Sequence, residues 1–257
     1  MRIATYNVNG VNGRLPRLLE WLEETKPDVA CLQEIKTGDA TFPAAKIAAA
    51  GYGAIWHGQK SHHGVAILAR GETPREVRRG APGNDDDLEA RYIECDFHGL
   101  RIASVYLPNG NPVPGPRFDY KLAWLDRLHR HARTLLDKDV PTVLSGDFNV
   151  VPTNADIYNW WPWQHDAVLQ PQTREAWQAF VAQGWIDVTR ARRPHERIYT
   201  FWVNADAFRR NAGFRMDFLL ISPQLLPRVT GDGVDREYRG REKPSDHTPV
   251  WIELAWP

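Results

Sequence analysis

Cysteine is scarce in this sequence, which has only Cys31 and Cys95 among 257 residues. Each cysteine lies in an apolar run that is typical of a buried strand. This pattern argues against a disulfide framework and against a structural zinc site. We therefore expect two reduced, packed thiols, neither with the setting of a catalytic nucleophile.

The sequence also lacks a net charge and a long hydrophobic run. Its 32 lysines and arginines balance 32 aspartates and glutamates, so no overall field attracts a polyanion. No segment reaches the roughly 18 uninterrupted apolar residues of a membrane span. Residues 1–6 enter a strand-like run without a signal-peptide pattern. We expect a soluble, cytoplasmic protein with no membrane contact, in which local patches make any contact with nucleic acid.

One such patch lies in residues 190–215, where seven arginines face only two acidic residues. Charge alone leaves two interpretations open, a solvated loop surface or contacts with DNA phosphates. The arginines are Arg190, Arg192, Arg193, Arg197, Arg209, Arg210 and Arg215. Residues 159–163 are unusually rich in tryptophan, and packing in the core or stacking on bases would each explain them.

Apolar patterning predicts many strands and few helices. Strand-like runs occur at residues 2–8, 29–33, 52–57, 64–69, 92–97, 101–106, 142–145, 200–202, 216–221 and 250–254. Leucine spacing predicts helices over 15–22 and 118–136, and a third helix is expected from an N-cap at Thr173 to Gln183, with Gly184 at its C-terminal cap. Without a repeat or linker, this pattern indicates one α/β domain over residues 1–257, with two packed sheets and outer helices.

Polar residues gather at the ends of the predicted strands. If the last strand is antiparallel to its neighbours, these side chains converge at one sheet edge. Carboxylate and amide oxygens without clustered cysteine suit Mg²⁺ or Mn²⁺. The residues are Asn7, Asn9, Glu34, Tyr106, Asp147, Asn149, Asp246 and His247.

Each piece has a simpler explanation when taken alone. Residues 146–149 are compatible with an ordinary turn, and Glu34 with an exposed strand end. Residues 245–247 are compatible with a structural hydrogen-bonding group. Their conjunction along one chain favours a catalytic site.

Seven motifs, in order from residue 6 to residue 247, together resemble the exonuclease III type of apurinic/apyrimidinic endonuclease. They are Tyr6-Asn7-Val8-Asn9-Gly10, Leu32-Gln33-Glu34-Ile35-Lys36, Gly64-Val65-Ala66-Ile67-Leu68, Tyr106-Leu107-Pro108-Asn109-Gly110, Gly146-Asp147-Phe148-Asn149, Arg210-Asn211-Ala212-Gly213-Phe214-Arg215-Met216-Asp217 and Pro244-Ser245-Asp246-His247. The resemblance implies a four-layer α/β sandwich of two mixed sheets. It also implies a monomeric, Mg²⁺-dependent DNA repair nuclease that incises beside abasic sites and trims duplex DNA from 3′ ends, blocked ends included.

The resemblance also implies roles for individual residues. Glu34 is the principal metal ligand, and the expected metal set is completed by Asn7, Asn9, Asp147, Asn149, Asp246 and His247. Asp147 is the general base, Asn149 donates to the phosphate, and His247 contacts it. Asp217 favours protonated His247, and Tyr106 lies near the leaving group.

Substrate contacts follow from the same resemblance. Phe201, Phe214 and Met216 match the wall of a pocket for a base-less sugar. Further expected DNA contacts are Asn109, Trp202, Arg209, Arg210 and Asn211. Residues 203–205 depart from relatives that carry a bulky residue there, so a DNA wedge is not expected at this point. The alternatives are a phosphodiesterase of the same fold that acts on RNA or a small phosphate ester, and a DNA-binding protein without catalysis.

Overall fold

The structure, a computed structural model, describes residues 1–256 of the chain and contains two six-stranded sheets. The strands are β1 Arg2–Asn7, β2 Val29–Gln33, β3 Tyr52–His57, β4 Val65–Arg70, β5 Arg75–Arg79, β6 Tyr92–Phe97, β7 Leu100–Tyr106, β8 Thr142–Asp147, β9 Ile186–Asp187, β10 Asp217–Ile221, β11 Val229–Val234 and β12 Val250–Leu254. The first sheet has the order β11-β12-β1-β2-β4-β3, and the second has the order β5-β6-β7-β8-β10-β9.

Each sheet is mixed and contains one parallel pair, β1 with β2 and β7 with β8. The last strand, β12, is antiparallel to β1, as the convergence of the polar residues requires. The helices are α1 Leu15–Thr25, α2 Ala44–Ala49, α3 Pro116–Asp137, α4 Pro171–Ala182, α5 Val188–Arg192 and α6 Ala205–Arg209. No helix among residues 1–256 has both the length and the apolar character needed to cross a bilayer.

Three apolar cores separate four layers. Inward side chains of both sheets form the central core, which includes Cys31 and Cys95 as free, buried thiols. The stripe of α1 that contains Leu18 and Leu22 covers the outer face of the first sheet. The apolar faces of α3 and α4 cover the second sheet. The predicted four-layer α/β sandwich is therefore confirmed.

Most predicted strands are confirmed to within two residues, but residues 200–202 are not a strand. Phe201 forms isolated β-bridges to Phe214 and to His247, so this segment pairs with two loops and not with a strand. Sequence patterning missed β5, β9 and β11 because β5 is a charged, exposed edge, β9 has two residues and β11 contains two glycines. It also missed the short helices α2, α5 and α6.

The start of α4 corrects a prediction. The helix begins at Pro171 after Gln170, and Thr173 lies inside it, where its hydroxyl donates to the carbonyl oxygen of Ala167. Proline is well suited to the first helical turn because it has no amide hydrogen to satisfy there. The helix ends at Ala182, close to the predicted end.

Gly146 sets the close approach of β7 and β8 just before the acidic residue that ends β8. A Cβ atom added there would lie 1.9 Å from the carbonyl oxygen of Val105, and its φ is +153°. Any side chain would therefore separate the two strands.

We expect Gly146→Ala to lower the free energy of unfolding by more than about 3 kcal/mol, because the clash falls on backbone in a buried ladder. Gly13, which is exposed and has only one neighbouring atom at 4.0 Å, provides the control Gly13→Ala. Thermal denaturation of both variants checks this. A Gly146→Ala protein that melts with the control would contradict the packing described here.

Candidate active site

The ends of strands from both sheets meet at one edge of the sandwich. Asn7 and Glu34 end or follow β1 and β2 of the first sheet, and Tyr106 and Asp147 end β7 and β8 of the second. His247 lies in the segment that leads into β12. The predicted convergence of these polar residues is thus observed.

The Asn7 side chain connects the two sheets at this edge. Its Nδ2 donates to Oε1 of Glu34 at 2.8 Å and to Oδ2 of Asp147 at 2.9 Å. Asn7 is completely buried. Its backbone carbonyl accepts a 2.6 Å hydrogen bond from the hydroxyl of Ser245. One neutral amide therefore holds two carboxylates together without cancelling their charge.

His247 is buried between two aspartates. Its Nδ1 lies 2.8 Å from Oδ2 of Asp217, and its Nε2 lies 3.8 Å from Oδ2 of Asp147. Burial opposes a charged imidazole, but the Asp217 and Asp147 carboxylates outweigh it and raise the pKa of His247 to about 10. Thr200 fixes Asp217 in turn, because its hydroxyl donates to the same Oδ2 at 2.6 Å.

The two carboxylates on the other side of the histidine differ in their ionisation. Burial raises the pKa of Asp147 to about 7, and the nearby charges of Asp217 and Glu34 add to the effect, while His247 opposes it. Burial also disfavours ionised Glu34, but hydrogen bonds from Asn7 and Lys36 outweigh it and lower the pKa of the Glu34 carboxyl.

This group of residues fits a cation. Ligand atoms of Glu34, Asp147 and His247 lie within 4.8 Å of one another. The carboxylate oxygens are ligands for a hard divalent ion, and a bound cation would stabilise the ionised form of Asp147. His247 would have to lose a proton before a ring nitrogen could bind a cation, because an imidazolium has no free nitrogen lone pair. Its predicted metal role stays a prediction.

Asn9 and Asp246 form a second polar group beside Glu34. Asn9 Nδ2 donates to Oδ1 of Asp246 at 2.9 Å, and Lys36 Nζ lies 2.6 Å from both Asn9 Oδ1 and Glu34 Oε2. Asp246 does not belong to the cluster within 4.8 Å. Lys36, which was not predicted as a site residue, thus neutralises part of the acidic charge.

Asn149 is buried at the site and is held by hydrogen bonds on both sides. Its backbone N–H donates to Oδ1 of Asp147, and its side-chain Nδ2 donates to the carbonyl oxygen of Leu107, both at 2.9 Å. Its Oδ1 accepts a 3.3 Å hydrogen bond from exposed Asn109. These contacts bring both predicted residues to the site.

Lys121 of α3 is a site-supporting residue that sequence reasoning missed. It is fully buried, and its Nζ donates to the carbonyl oxygens of Pro108 at 3.1 Å, Asn109 at 3.1 Å and Asn149 at 2.6 Å. It therefore ties together the loops that follow β7 and β8. The sequence feature that could have identified it is its position three residues after Phe118, which places a lysine on the apolar stripe of the helix.

Tyr106 keeps its proton at neutral pH. Burial and the negative charges of Glu34 and Asp147 raise the pKa of its phenol well above the ordinary value. The guanidinium of Arg91 lies 4.9 Å from the ring centre. The phenol is thus a hydrogen-bond donor.

The three residues predicted to form a sugar pocket lie close together near His247, and the pocket itself stays a prediction. Phe201 is half-buried, with its ring 4.8 Å from that of His247 and 5.6 Å from that of Phe214. Phe214 and Met216 are buried but adjoin this aromatic wall. Trp202 is completely buried and packs on Phe208, so its predicted contact with DNA is wrong.

The arginine-rich segment divides into two groups. Arg215 is buried and pairs with Asp156 and Asp187. Arg190 also pairs with Asp156, and Arg192 and Arg193 pair with Asp232. Those four arginines form ion pairs within the fold, so intramolecular carboxylates offset part of the positive charge that the sequence places in this segment. Arg209, Arg210 and Asn211 remain exposed.

We expect Asp217→Asn to lower the pKa of His247 from about 10 towards its ordinary value of about 6.5. A raised folded-state pKa stabilises the native state fully below about pH 6.5, and this contribution disappears as pH rises through about 10. The wild-type protein should therefore lose stability between these values, and the variant should lose less. Histidine proton shifts and urea unfolding at several pH values measure both effects. An unchanged histidine pKa in the variant would contradict the assignment.

We expect Lys121→Met to lower the melting temperature by about 5 °C or more, because two buried carbonyl oxygens, those of Pro108 and Asn149, lose their donor at about 1–3 kcal/mol each. Lys46→Met, at an exposed position of α2, is the control and should change little. Turnover measured well below both melting temperatures should fall about tenfold, since Asn109 and Asn149 lose their support. Equal melting temperatures of the two variants would contradict the supporting role of Lys121.

Comparison with known proteins identifies the family of this chain. The model of the endonuclease/exonuclease/phosphatase family matches residues 4–247. The chain is 32% identical to exodeoxyribonuclease III of Haemophilus influenzae, over 99% of this chain and 100% of the relative. A 3′ phosphatase from Neisseria, solved with a product DNA hairpin, has a TM-score of 0.95 at 35% identity, with 100% of both chains covered. An AP endonuclease from Archaeoglobus fulgidus has a TM-score of 0.94 at 33% identity, with 99% of both chains covered.

The motifs, the two-sheet architecture and these full-length similarities agree, and the chain belongs to the endonuclease/exonuclease/phosphatase family, within its exonuclease III type.

Proposed function

We propose that this chain is a DNA repair nuclease that depends on Mg²⁺ or Mn²⁺. It hydrolyses the phosphodiester 5′ to an abasic site and trims duplex DNA from its 3′ end, including blocked ends. The observation that carries this proposal is the buried side chain of His247, held between Asp217 and Asp147 beside the Glu34 carboxylate. We also infer that residues 1–257 act as one monomeric catalytic domain, since both sheets contribute to the site.

The site supplies the positive charge that an anionic diester needs. The cationic edge of His247 faces the space beside Asp147, where it can bind a non-bridging phosphate oxygen. Asn149 offers a further polar contact at the site. A divalent cation held by Glu34, with Asp147 and Asn7 beside it, would supply Lewis-acid neutralisation of the phosphate.

Asp147 is the base in this proposal. Its carboxylate holds a water molecule in line with the phosphorus and accepts a proton as the new P–O bond forms. The bond from phosphorus to the 3′ oxygen of the preceding nucleotide breaks. The Tyr106 phenol stabilises that oxygen by a hydrogen bond, and the oxygen takes up a proton from solvent to become the 3′ hydroxyl, while Asp147 releases its proton to solvent.

The aromatic residues beside His247 support a base-less sugar as the preferred occupant of the site. Phe201 and Phe214 form a compact aromatic wall, and Met216 closes the core behind it. A deoxyribose without its base is small enough for such a wall, whereas an intact nucleotide requires more space. Selection by exclusion then distinguishes damaged from intact DNA.

One assay tests the proposed function against its alternatives. A labelled abasic duplex, a duplex with a single ribonucleotide, and a small phosphomonoester are each incubated with Mg²⁺, Mn²⁺ or EDTA. We expect cleavage of the abasic duplex with either metal and none with EDTA. Preferred cleavage of the ribonucleotide or the monoester would indicate another phosphoesterase of the same fold. Binding without cleavage under all metal conditions would indicate a DNA-binding protein.

We expect Asp147→Asn to lower kcat on the abasic duplex by about three orders of magnitude, because an amide cannot accept the proton from water. DNA binding and the melting temperature should stay close to wild type. Glu34→Gln is the matched comparison, since it should raise the metal concentration needed for half-maximal activity. A near wild-type rate for Asp147→Asn at saturating Mg²⁺ would show that another group is the base.

A further inference from the structure

A short loop at the rim of the site exposes several aromatic side chains. We call residues 158–163 the indole loop. Tyr158 is 53% exposed, Trp160 is 41% exposed and Trp161 is 62% exposed. Among residues 1–256, seven large hydrophobic side chains are exposed. Four of the seven lie together: Tyr158, Trp160 and Trp161 belong to the indole loop, and Val203 lines the pocket beside it. Such clustering of solvent-exposed aromatic surface indicates a binding surface.

The fold holds the indole loop in place. The amide of Tyr158 donates to the carbonyl oxygen of Gly213 at 3.0 Å, and the amide of Trp161 donates to Oδ1 of Asn159 at 3.2 Å. The rings of Trp160 and Trp161 meet edge to face, with their centres 5.5 Å apart. The exposed rings are therefore arranged before a ligand arrives, which lowers the entropic cost of binding.

The indole loop is continuous with the active site. Trp163, the half-buried member of the loop, packs edge to face on Phe214 at 5.0 Å. Phe214 contacts Phe201, whose ring lies 4.8 Å from His247. A row of four rings thus leads from the catalytic histidine to the loop. Beside it lies a pocket of about 290 Å³, between the loop and the segment that contains Val203 and Arg210.

Positive charge accompanies these rings. Arg197 is exposed, and its guanidinium contacts the carbonyl oxygen of Tyr158 at 3.5 Å. Arg209 and Arg210 share a single carboxylate, that of Asp206. Aromatic rings next to an excess of arginine are suited to single-stranded nucleic acid, since bases stack on the rings and phosphates meet the guanidinium groups.

We propose that the indole loop is a stacking site for unpaired DNA bases next to the cleavage site. Tyr158, Trp160 and Trp161 hold bases of a frayed or single-stranded 3′ end, and Arg197 and Arg210 contact the backbone. The inference rests on the proposed nuclease function and deepens it, because it assigns this chain a preference for 3′ ends that are not paired.

The first experiment measures binding without catalysis. Fluorescence anisotropy of a labelled short oligothymidylate is recorded in EDTA for wild type, Trp160→Ala/Trp161→Ala and Trp160→Phe/Trp161→Phe. We expect Kd to rise about tenfold in the alanine variant, as loss of stacking under one or two bases requires. The phenylalanine variant should stay within about threefold of wild type, because its rings still stack. Leu226→Ala, at an exposed apolar residue after the far end of β10, is the matched control and should bind as wild type.

The second experiment measures kcat/KM for removal of the 3′-terminal nucleotide from a duplex whose last pair is matched or mismatched. The alanine variant should lose about tenfold on the mismatched end and less than about twofold on the matched end. Equal losses on both ends, unchanged oligothymidylate binding, or no rescue by phenylalanine would overturn the proposal. Unchanged binding with an altered sedimentation coefficient would instead make the loop a self-association surface. Absence of cleavage by the wild-type protein would reject the proposed function, whereas the binding experiment would still decide the role of the loop.

Discussion

The amide of Asn7 imposes the constraint on which the site depends. One nitrogen donates to Glu34 at 2.8 Å and to Asp147 at 2.9 Å, and so joins an acid of the first sheet to an acid of the second. Because the amide is neutral, the two carboxylates are fixed in position while their negative charge remains uncompensated. Lys36 and His247 offset only part of it, since Asp217 adds a third carboxylate. The sheets thus create a negatively charged site that a bound cation would complete.

Strained backbone at the strand ends places the polar side chains of the site at the edge of the sheets. Asn9, Glu34 and Asn149 follow β1, β2 and β8 with φ of +46°, +50° and +47°. Residues other than glycine rarely adopt this left-handed conformation, and glutamate gains no local compensation from its side chain. The conformation turns the chain sharply as it leaves the sheet, so that the side chains face the edge and not the core. The apolar core between the sheets provides the stability that such turns require.

The sequence was sufficient for most of the strands and for the acidic cluster, because apolar alternation is a local signal and the motifs occur in a fixed order along the chain. It failed where the partner is remote. Arg192 and Arg193 look like free cations along the chain, but Asp232, about forty residues later, pairs with both. Lys121 was overlooked because a lysine on a helix is usually solvated, and only the tertiary structure brings the Asn149 carbonyl to its ammonium group. Trp202 was misassigned for a similar reason, since its burial against α6 cannot be read from neighbouring residues.

The same geometry separates the buried charged residues around His247 from the exposed indole loop. His247 is enclosed by Asp217 and Asp147, so a change in these two carboxylates alters its pKa. The indole loop contacts Phe214 through Trp163, and Phe214 contacts Phe201 beside His247; these rings transmit shape but carry no charge. Loops of this kind can change their side chains without altering the ionisation of the catalytic groups. Substrate preference can therefore differ between proteins that share the acidic cluster, and the aromatic loop of this chain is where such a difference is expected.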